Sequence, residues 1–380
     1  MHGNVFELCD VLEEAPVDAS RRVAVRGGGW SNVAGHCTAS FHNIGPPSHR
    51  GGSWSLGLRL ARVPVGKDTV EAAGVEKKEE DAIRSTTGVE RNPSTAKSAS
   101  TRSTESIVNN AADLDRRAAA SVLALGGSVT VRVEGRDEVI GSSGTLPREP
   151  FELVHVNLSK HHGLADADLT PLEGASHLLS VDLTWTGVTD GGFAHLRNLT
   201  RLRSIGAQGA QITGAGLDHL QGLPELEHLL VGSTPLTDAD LRHLQGLTSL
   251  KHLGLAATRI TNVGLGNVKP LTGLRSLWLG KTRVSDSGLV HLKDLTELTW
   301  LDLAETRITN AGLANLAGLK NLRRLDLRET KVTDAGLEKL AALTALEMLD
   351  LTATKVTAAG VAKVHESLPN CRIIATSKAR

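Results

Sequence analysis

Two tryptophans, Trp278 and Trp300, are set among Arg324, Asp302, Asp326, His228 and His252. Indole, guanidinium and carboxylate groups kept close together are the side chains that dominate protein-binding hot spots. A second set is a column of cations, Arg259, Arg283, Arg307, Lys331 and Lys355, spaced 24 residues apart. Cations about 5 Å apart on successive strands could grip an anionic partner. Glu305 and Glu329 stand two residues before Arg307 and Lys331 and dilute that field, so a solubilising flank is the competing reading. For the tryptophans, the competing reading is a pair that cover one another beside a solvated row of aspartates. Both sets would do recognition chemistry.

Bond-breaking chemistry finds no comparable support. The sequence has no Walker-type glycine loop and no Ser-His-Asp set in a recognisable context. His195, His219, His243 and His291 recur at one repeat position, and near-identical repeats create such columns by descent. His161-His162 with Asp166 and Asp168 fall in an irregular unit, where a solvated loop is the simpler reading. Cys9, Cys37 and Cys371 are too far apart for a disulfide framework or a metal-binding pair.

Composition narrows the field further. The 380 residues carry 42 basic and 42 acidic side chains, which argues against a body built to hold nucleic acid or an anionic membrane. Aromatics make up 2% of the chain and tyrosine is absent, which argues against a base-stacking platform. No apolar run reaches the roughly 18 residues of a membrane span, and no charged-then-apolar leader opens the chain. The expectation is a soluble monomer, cytoplasmic by default, with a protein partner, no nucleic acid and no cofactor.

What must position the tryptophans is a repeat. Leu178, Leu202, Leu226, Leu250, Leu274, Leu298, Leu322 and Leu346 recur every 24 residues without a slip. The L-x-x-L-x-L segment predicts a short strand whose leucines face inward, so that neighbouring units stack into a parallel sheet. A threonine follows at 186, 234, 258, 282, 306, 330 and 354, where the chain must turn, and Ala210 breaks that column. Its hydroxyl is expected to bond backbone of the turn or of the next unit. In Thr333-Asp334-Ala335-Gly336-Leu337, Thr333 reads as a helix N-cap and Asp334 suits the positive end of the helix. The glycine is expected to let helix and sheet approach closely. Leu337, Leu340 and Leu343 then form a helical stripe facing the core.

These residues resemble the leucine-rich-repeat family, and the T-x-V-T-D-A-G-L form resembles its bacterial members. The resemblance implies an α/β solenoid, with a parallel sheet concave and helices convex, of about ten strands over 151–376. Strand positions three and five would face the concave side, which puts Trp278 and Trp300 there. Residues 111–150, an amphipathic helix followed by a hairpin at Ser128–Val133 and Glu138–Ile140, read as its N-terminal cap. Residues 63–110 turn abruptly to Ala, Ser, Thr, Lys and Glu and read as a disordered linker.

Residues 1–62 carry a second resemblance. Gly3-Asn4-Val5-Phe6-Glu7-Leu8, Arg26-Gly27-Gly28-Gly29-Trp30 and Gly57-Leu58-Arg59-Leu60-Ala61-Arg62 stand in the order and spacing of the C-terminal part of the formylglycine-generating, sulfatase-modifying-factor family. Phe6, Leu8, Gly29 and Leu58 depart from its pattern. The family implies a C-type-lectin-like α+β domain, of which this would be a truncated segment beginning mid-domain. Active members use two cysteines, six and eleven residues after the arginine that opens R-G-G. Here those positions are Asn32 and Cys37, so one thiol is missing and no catalysis is expected. The family's calcium site, carried over, would use the Gly3 and Val5 carbonyls and the Glu7 carboxylate, with a further ligand upstream of Met1. Calcium is therefore expected only in a complete domain. The leading expectation is a non-catalytic protein-binding solenoid. One alternative is a fragment of a larger formylglycine-generating-type protein that recruits substrate through its repeats. The other is polyanion binding by the basic flank.

Overall fold

The computed structural model describes residues 38–42, 53–57 and 111–376. Gly3, Val5, Glu7, Asn32, Cys37 and the 63–110 segment lie outside the described residues. Of the front segment, β1 (Thr38–His42) and β2 (Ser53–Gly57) pair as an antiparallel ladder.

Each repeat contributes one short strand because only three residues run between its two turns. The strands are β5 (Glu152–Asn157), β6 (Ser180–Asp182), β7 (Ser204–Gly206), β8 (His228–Leu230), β9 (His252–Gly254), β10 (Ser276–Trp278), β11 (Trp300–Asp302), β12 (Arg324–Asp326), β13 (Met348–Asp350) and β14 (Arg372–Ile374). They pair in sequence order and in parallel, so that Leu277 faces Leu301 and Leu301 faces Leu325. The central residue of each three-residue strand from Val181 to Leu349 is essentially inaccessible. Fully burying a leucine is worth about 1.5–3 kcal/mol, but one repeat alone has nothing to bury it against. Stacking therefore supplies the stability, and the result is one continuous core running through the array.

The N-terminal end is closed by different chemistry. The helix α1, residues 111–124, is followed by β3 (Ser128–Val133) and β4 (Arg136–Ile140). The β3 strand pairs antiparallel with both β4 and β5, so the sheet ends in a hairpin. Fully buried Asp115 of α1 accepts the Leu153 N–H at 2.9 Å and lies 2.8 Å from His177 Nδ1. Arg116 donates to the Pro147 and Glu149 carbonyls and lies over the Phe151 ring at 4.7 Å. At the other end the helix Ala358–Ser367 is longer than the earlier convex turns, and Val364, Leu368 and Cys371 bury there.

The turns after β6 and after β8 to β13 are built in the same way, while Ala210 leaves the turn after β7 without the hydroxyl. Thr186, Thr234, Thr258, Thr282, Thr306, Thr330 and Thr354 each donate their hydroxyl to the carbonyl three residues earlier, at 2.6–2.7 Å. The residue before the threonine takes a left-handed conformation in repeat after repeat, as in Ser233, Ala257, Lys281, Glu305 and Glu329, with φ between 53° and 59°. That conformation aims its N–H at the following repeat, for example Ala257 N–H to the Gly280 carbonyl at 2.8 Å. The turn thus extends the hydrogen-bonded ladder past the strand.

The convex side differs from the sequence expectation in three respects. Thr333 has extended N-cap geometry but its side chain accepts no helix amide; it accepts from Asn310 Nδ2 at 2.7 Å instead. Asp334 and its counterparts work between repeats rather than on their own helix. Asp286 accepts both the Thr309 N–H and its hydroxyl, at 2.7 and 2.5 Å, and Asp238 holds Thr261 in the same way. The glycine that follows makes room for this ladder, not for the sheet: a Cβ on Gly264 would lie 2.4 Å from Asp238 Oδ1, and one on Gly312 equally close to Asp286 Oδ1. Gly214 interrupts the ladder, and Asp240 substitutes by accepting the Thr237 N–H and hydroxyl and the Gly214 N–H. The leucine spacing of three matches the 3-10 turns that are interspersed with short α turns along this face, such as Gly312–Leu316.

Candidate functional site: the concave sheet face

Because the central residue of every strand points into the core, its two neighbours face the concave side. In-register pairing turns them into two rows. One reads His228, His252, Ser276, Trp300, Arg324 and Met348; the other reads Leu230, Gly254, Trp278, Asp302, Asp326 and Asp350. Trp278 and Trp300 therefore belong to different rows of adjacent strands. Trp278 faces Gly254 on one side, which carries no side chain, and Asp302 on the other.

The rings form a connected chain across four strands. His228 and His252 stack with centroids 4.3 Å apart and planes 6° from parallel. His252 lies 6.3 Å from Trp278, and Trp278 meets Trp300 edge-on at 5.2 Å and 72°. The Arg324 guanidinium sits over Trp300 at 5.4 Å, continuing the chain onto a fifth strand. His228, His252, Trp278, Trp300 and Arg324 are half-buried, so each still presents surface to the groove. Trp278 Nε1 is buried and has no hydrogen-bond partner. His252 Nδ1 lies 3.0 Å from Ser276 Oγ. Burial, with a smaller contribution from His228, depresses His252 to about 4, and burial lowers His228 as well. Both imidazoles are neutral at pH 7 and act as flat aromatic surface.

The aspartates do two things at once. Asp182, Asp302, Asp326 and Asp350 each accept the N–H two residues ahead through Oδ1, at 2.8–3.0 Å, closing the strand ends. Their remaining oxygens differ. Arg328 donates to both oxygens of Asp326 and reaches Asp350 at 3.7 Å. Asp302, 8% exposed, has no such cation in its own repeat, because Ala304 occupies the position of Arg328. Burial first, and the neighbouring Asp326 second, push its carboxyl up to about 7. Arg328 is the participant that sequence reasoning passed over. Its signal was legible: one guanidinium in a column otherwise filled by Thr, Gln, Gly and Ala.

The remaining predicted groups lie elsewhere. Arg259, Arg283, Arg307, Lys331 and Lys355 are exposed on the flank after the turn, and none pairs with a carboxylate among the described residues. Their backbone N–H groups continue the inter-repeat ladder, as in Arg283 N–H to the Ile260 carbonyl at 2.9 Å. On the convex side, His195 lies 2.7 Å from Glu173 and His243 3.0 Å from Asp218. No group of three or more His, Cys, Asp or Glu among the described residues is arranged to hold a metal ion. No helix among them is long and apolar enough to cross a membrane.

Comparison with known proteins bears on the repeats. A family model described as Leucine rich repeat matches residues 296–356, and a second of the same description matches 174–193. No curated protein matches the sequence. Among solved structures, an internalin (inlF) from Listeria monocytogenes is similar at 25% identity and a TM-score of 0.49, over 60% of this chain and 62% of its own. An internalin C2 from the same organism is similar at 25% identity and a TM-score of 0.44, over 56% of this chain and 84% of its own. A leucine-rich-repeat protein from Leptospira interrogans follows at 19% identity and a TM-score of 0.41, over 53% and 56%. This chain thus spans less than two thirds of the inlF internalin. Both matched intervals lie within the 24-residue units, and with the parallel ladder from β5 to β14 they identify the body of this chain as an α/β leucine-rich-repeat solenoid.

Proposed function

We propose that the concave face is a docking surface for an extended segment of a partner protein, centred on Trp278 and Trp300. The observation that carries this reading is the connected chain His228–His252–Trp278–Trp300–Arg324. It spans five strands of the sheet, and each of its members is half-buried. A pair that merely covered itself would not continue into stacked histidines on one side and a guanidinium on the other. Such aromatic and arginine anchors contribute most where the partner seals them from water. The rigid ladder beneath keeps them at fixed spacing, which lowers the ordering cost of binding.

The test is a comparative capture from the native cells. Full-length protein and its Trp278→Ala/Trp300→Ala variant, matched for folding by circular dichroism, are used as baits. Proteins retained by the wild type should be lost by the variant, on the order of 100-fold for two anchors of about 2 kcal/mol with partial coupling. Equal capture by both baits refutes the concave-face reading. A second reading has one observation behind it, the five exposed flank cations without carboxylate partners among the described residues. It requires binding of heparin or nucleic acid that weakens steeply with salt. A flat salt response disposes of it.

A further inference from the structure

Resting on that reading, we infer that the docking segment presents a lysine or arginine side chain to Asp302, seated against the Trp278 ring. The argument is a comparison of adjacent repeats. In β12 the strand-end carboxylate, Asp326, receives a guanidinium from its own chain, since Arg328 stands two residues later and bonds both oxygens. In β11 the equivalent carboxylate, Asp302, is held through Oδ1 by the Ala304 N–H at 2.8 Å, and its own repeat offers only a methyl group where Arg328 would be.

The backbone that packs against Asp302 carries no side chain. A Cβ on Gly280, the residue of the preceding repeat that corresponds to Ala304 and Arg328, would lie 2.8 Å from Asp302 Oδ2. Trp278 is the in-register neighbour of Asp302, so an indole and the carboxylate stand on adjacent strands of the same face. A carboxylate beside an indole is a site for a cation, which gains from both groups once water is excluded. The charged groups around Asp302 are Asp326, Arg328 and Glu305. Arg328 is engaged by Asp326 and Asp350, while Glu305 is exposed and 3.3 Å from Lys281. The balance at Asp302 favours an added positive charge. A partner with a neutral or acidic side chain at that point would leave the buried carboxylate without a counter-ion.

The test uses displayed random peptides selected on the full-length chain, and synthetic versions of those that bind. Peptides whose binding is lost in Trp278→Ala/Trp300→Ala should share one basic residue. Replacing it by norleucine or citrulline should weaken binding at least 10-fold in the wild type and less than 3-fold in Asp302→Asn. Asparagine keeps the acceptor for the Ala304 N–H, so that variant retains its strand-end turn. Ala304→Arg, which supplies the cation internally as Arg328 does next door, should weaken the same peptides, and its melting curve reports whether it folds. Tryptophan-dependent peptides with no required basic residue, or with one whose replacement costs the same in Asp302→Asn, overturn this inference alone. A selection that yields only peptides indifferent to the tryptophan pair overturns the concave-face reading, and this inference with it.

Discussion

The turn after each strand and the concave face a few ångströms away follow opposite rules. At the turn, seven repeats solve the same problem with the same atoms, and only Ala210 among the 24-residue units lacks the hydroxyl. Threonine closes onto the carbonyl three residues back, and the residue before it goes left-handed to reach the next repeat. On the convex side an aspartate or asparagine ties its own repeat to the following threonine or serine. On the concave face the residue types vary along each row, and the hydrogen-bonding capacity of Trp278 Nε1 is unused. Periodicity is the signature of groups that serve the fold. Departures from it mark the groups left over for recognition.

The sharpest way to break that distinction uses two neighbours on one strand. Leu301 is fully buried between Leu277 and Leu325, and Leu301→Ala should cost about 2–5 kcal/mol in chemical denaturation. Trp300, beside it in sequence, faces the groove, and Trp300→Ala should cost about 1 kcal/mol through its lost aromatic contact while removing partner binding. If Trp300→Ala destabilises as much as Leu301→Ala, the concave aromatics belong to the fold and the distinction fails.

Next in size is the inter-repeat ladder. Asp286→Ala leaves the Thr309 N–H and hydroxyl without their acceptor and should cost about 1–3 kcal/mol, with binding to the concave face unchanged. An unaltered melting curve would mean that water replaces the carboxylate at no cost and that the ladder is ornamental.

The degree to which this was legible in the sequence follows the same division. The 24-residue leucine period and the threonine column announce the solenoid because each repeat restates them, so a single position carries the weight of eight. The opposite holds for Asp334 and its column. Read within one repeat, the aspartate after a threonine is a helix-dipole partner; its true acceptor role links residues 23 apart in the chain, as in Thr357 N–H to Asp334 Oδ1. The left-handed residue before each threonine carried no signal, since Trp, Ser, Ala, Lys and Glu fill it where glycine would have flagged it. On the concave face, alternation placed Trp278 and Trp300 on the right side of the sheet. Their meeting depends on side-chain direction across strands, which alternation leaves open.

The acid–base behaviour of Asp302 sharpens the comparison further. Its carboxyl titrates near 7 in the folded protein, against about 3.9 in an unfolded chain. Between those values the native state holds a proton that the unfolded chain releases, so this group makes stability fall as pH rises from about 4 to about 7. The depressed His228 and His252 act in the reverse direction below about 6.5, because there the unfolded chain takes up protons that the folded imidazoles refuse. Comparing wild type with Asp302→Asn cancels the histidines. The variant's melting temperature should gain on the wild type's between pH 5 and pH 8, by on the order of a few °C. A constant difference across that range would mean that Asp302 is already neutralised from within, and a partner's cation would then have nothing to add.

The smallest expected effect lies in the turn and has the opposite sign to most substitutions. Ala257 is held at φ 57°, where its Cβ crowds the following carbonyl, and its N–H donates to the Gly280 carbonyl. Left-handed backbone costs a non-glycine residue about 1–2 kcal/mol, whereas glycine adopts it freely at the expense of about 0.4–1 kcal/mol of unfolded-state entropy. Ala257→Gly should therefore stabilise the protein by about 0.5 kcal/mol, read as a rise in denaturation midpoint with unchanged slope. The same change at Ala304, the turn residue just before left-handed Glu305, meets no left-handed strain and should destabilise. If both glycines destabilise equally, the conformation at 257 is set by something other than the ladder bond it serves. Gly209 already fills the same position of its repeat at φ 75°, with its N–H on the Gly232 carbonyl, so the ladder bond itself tolerates glycine.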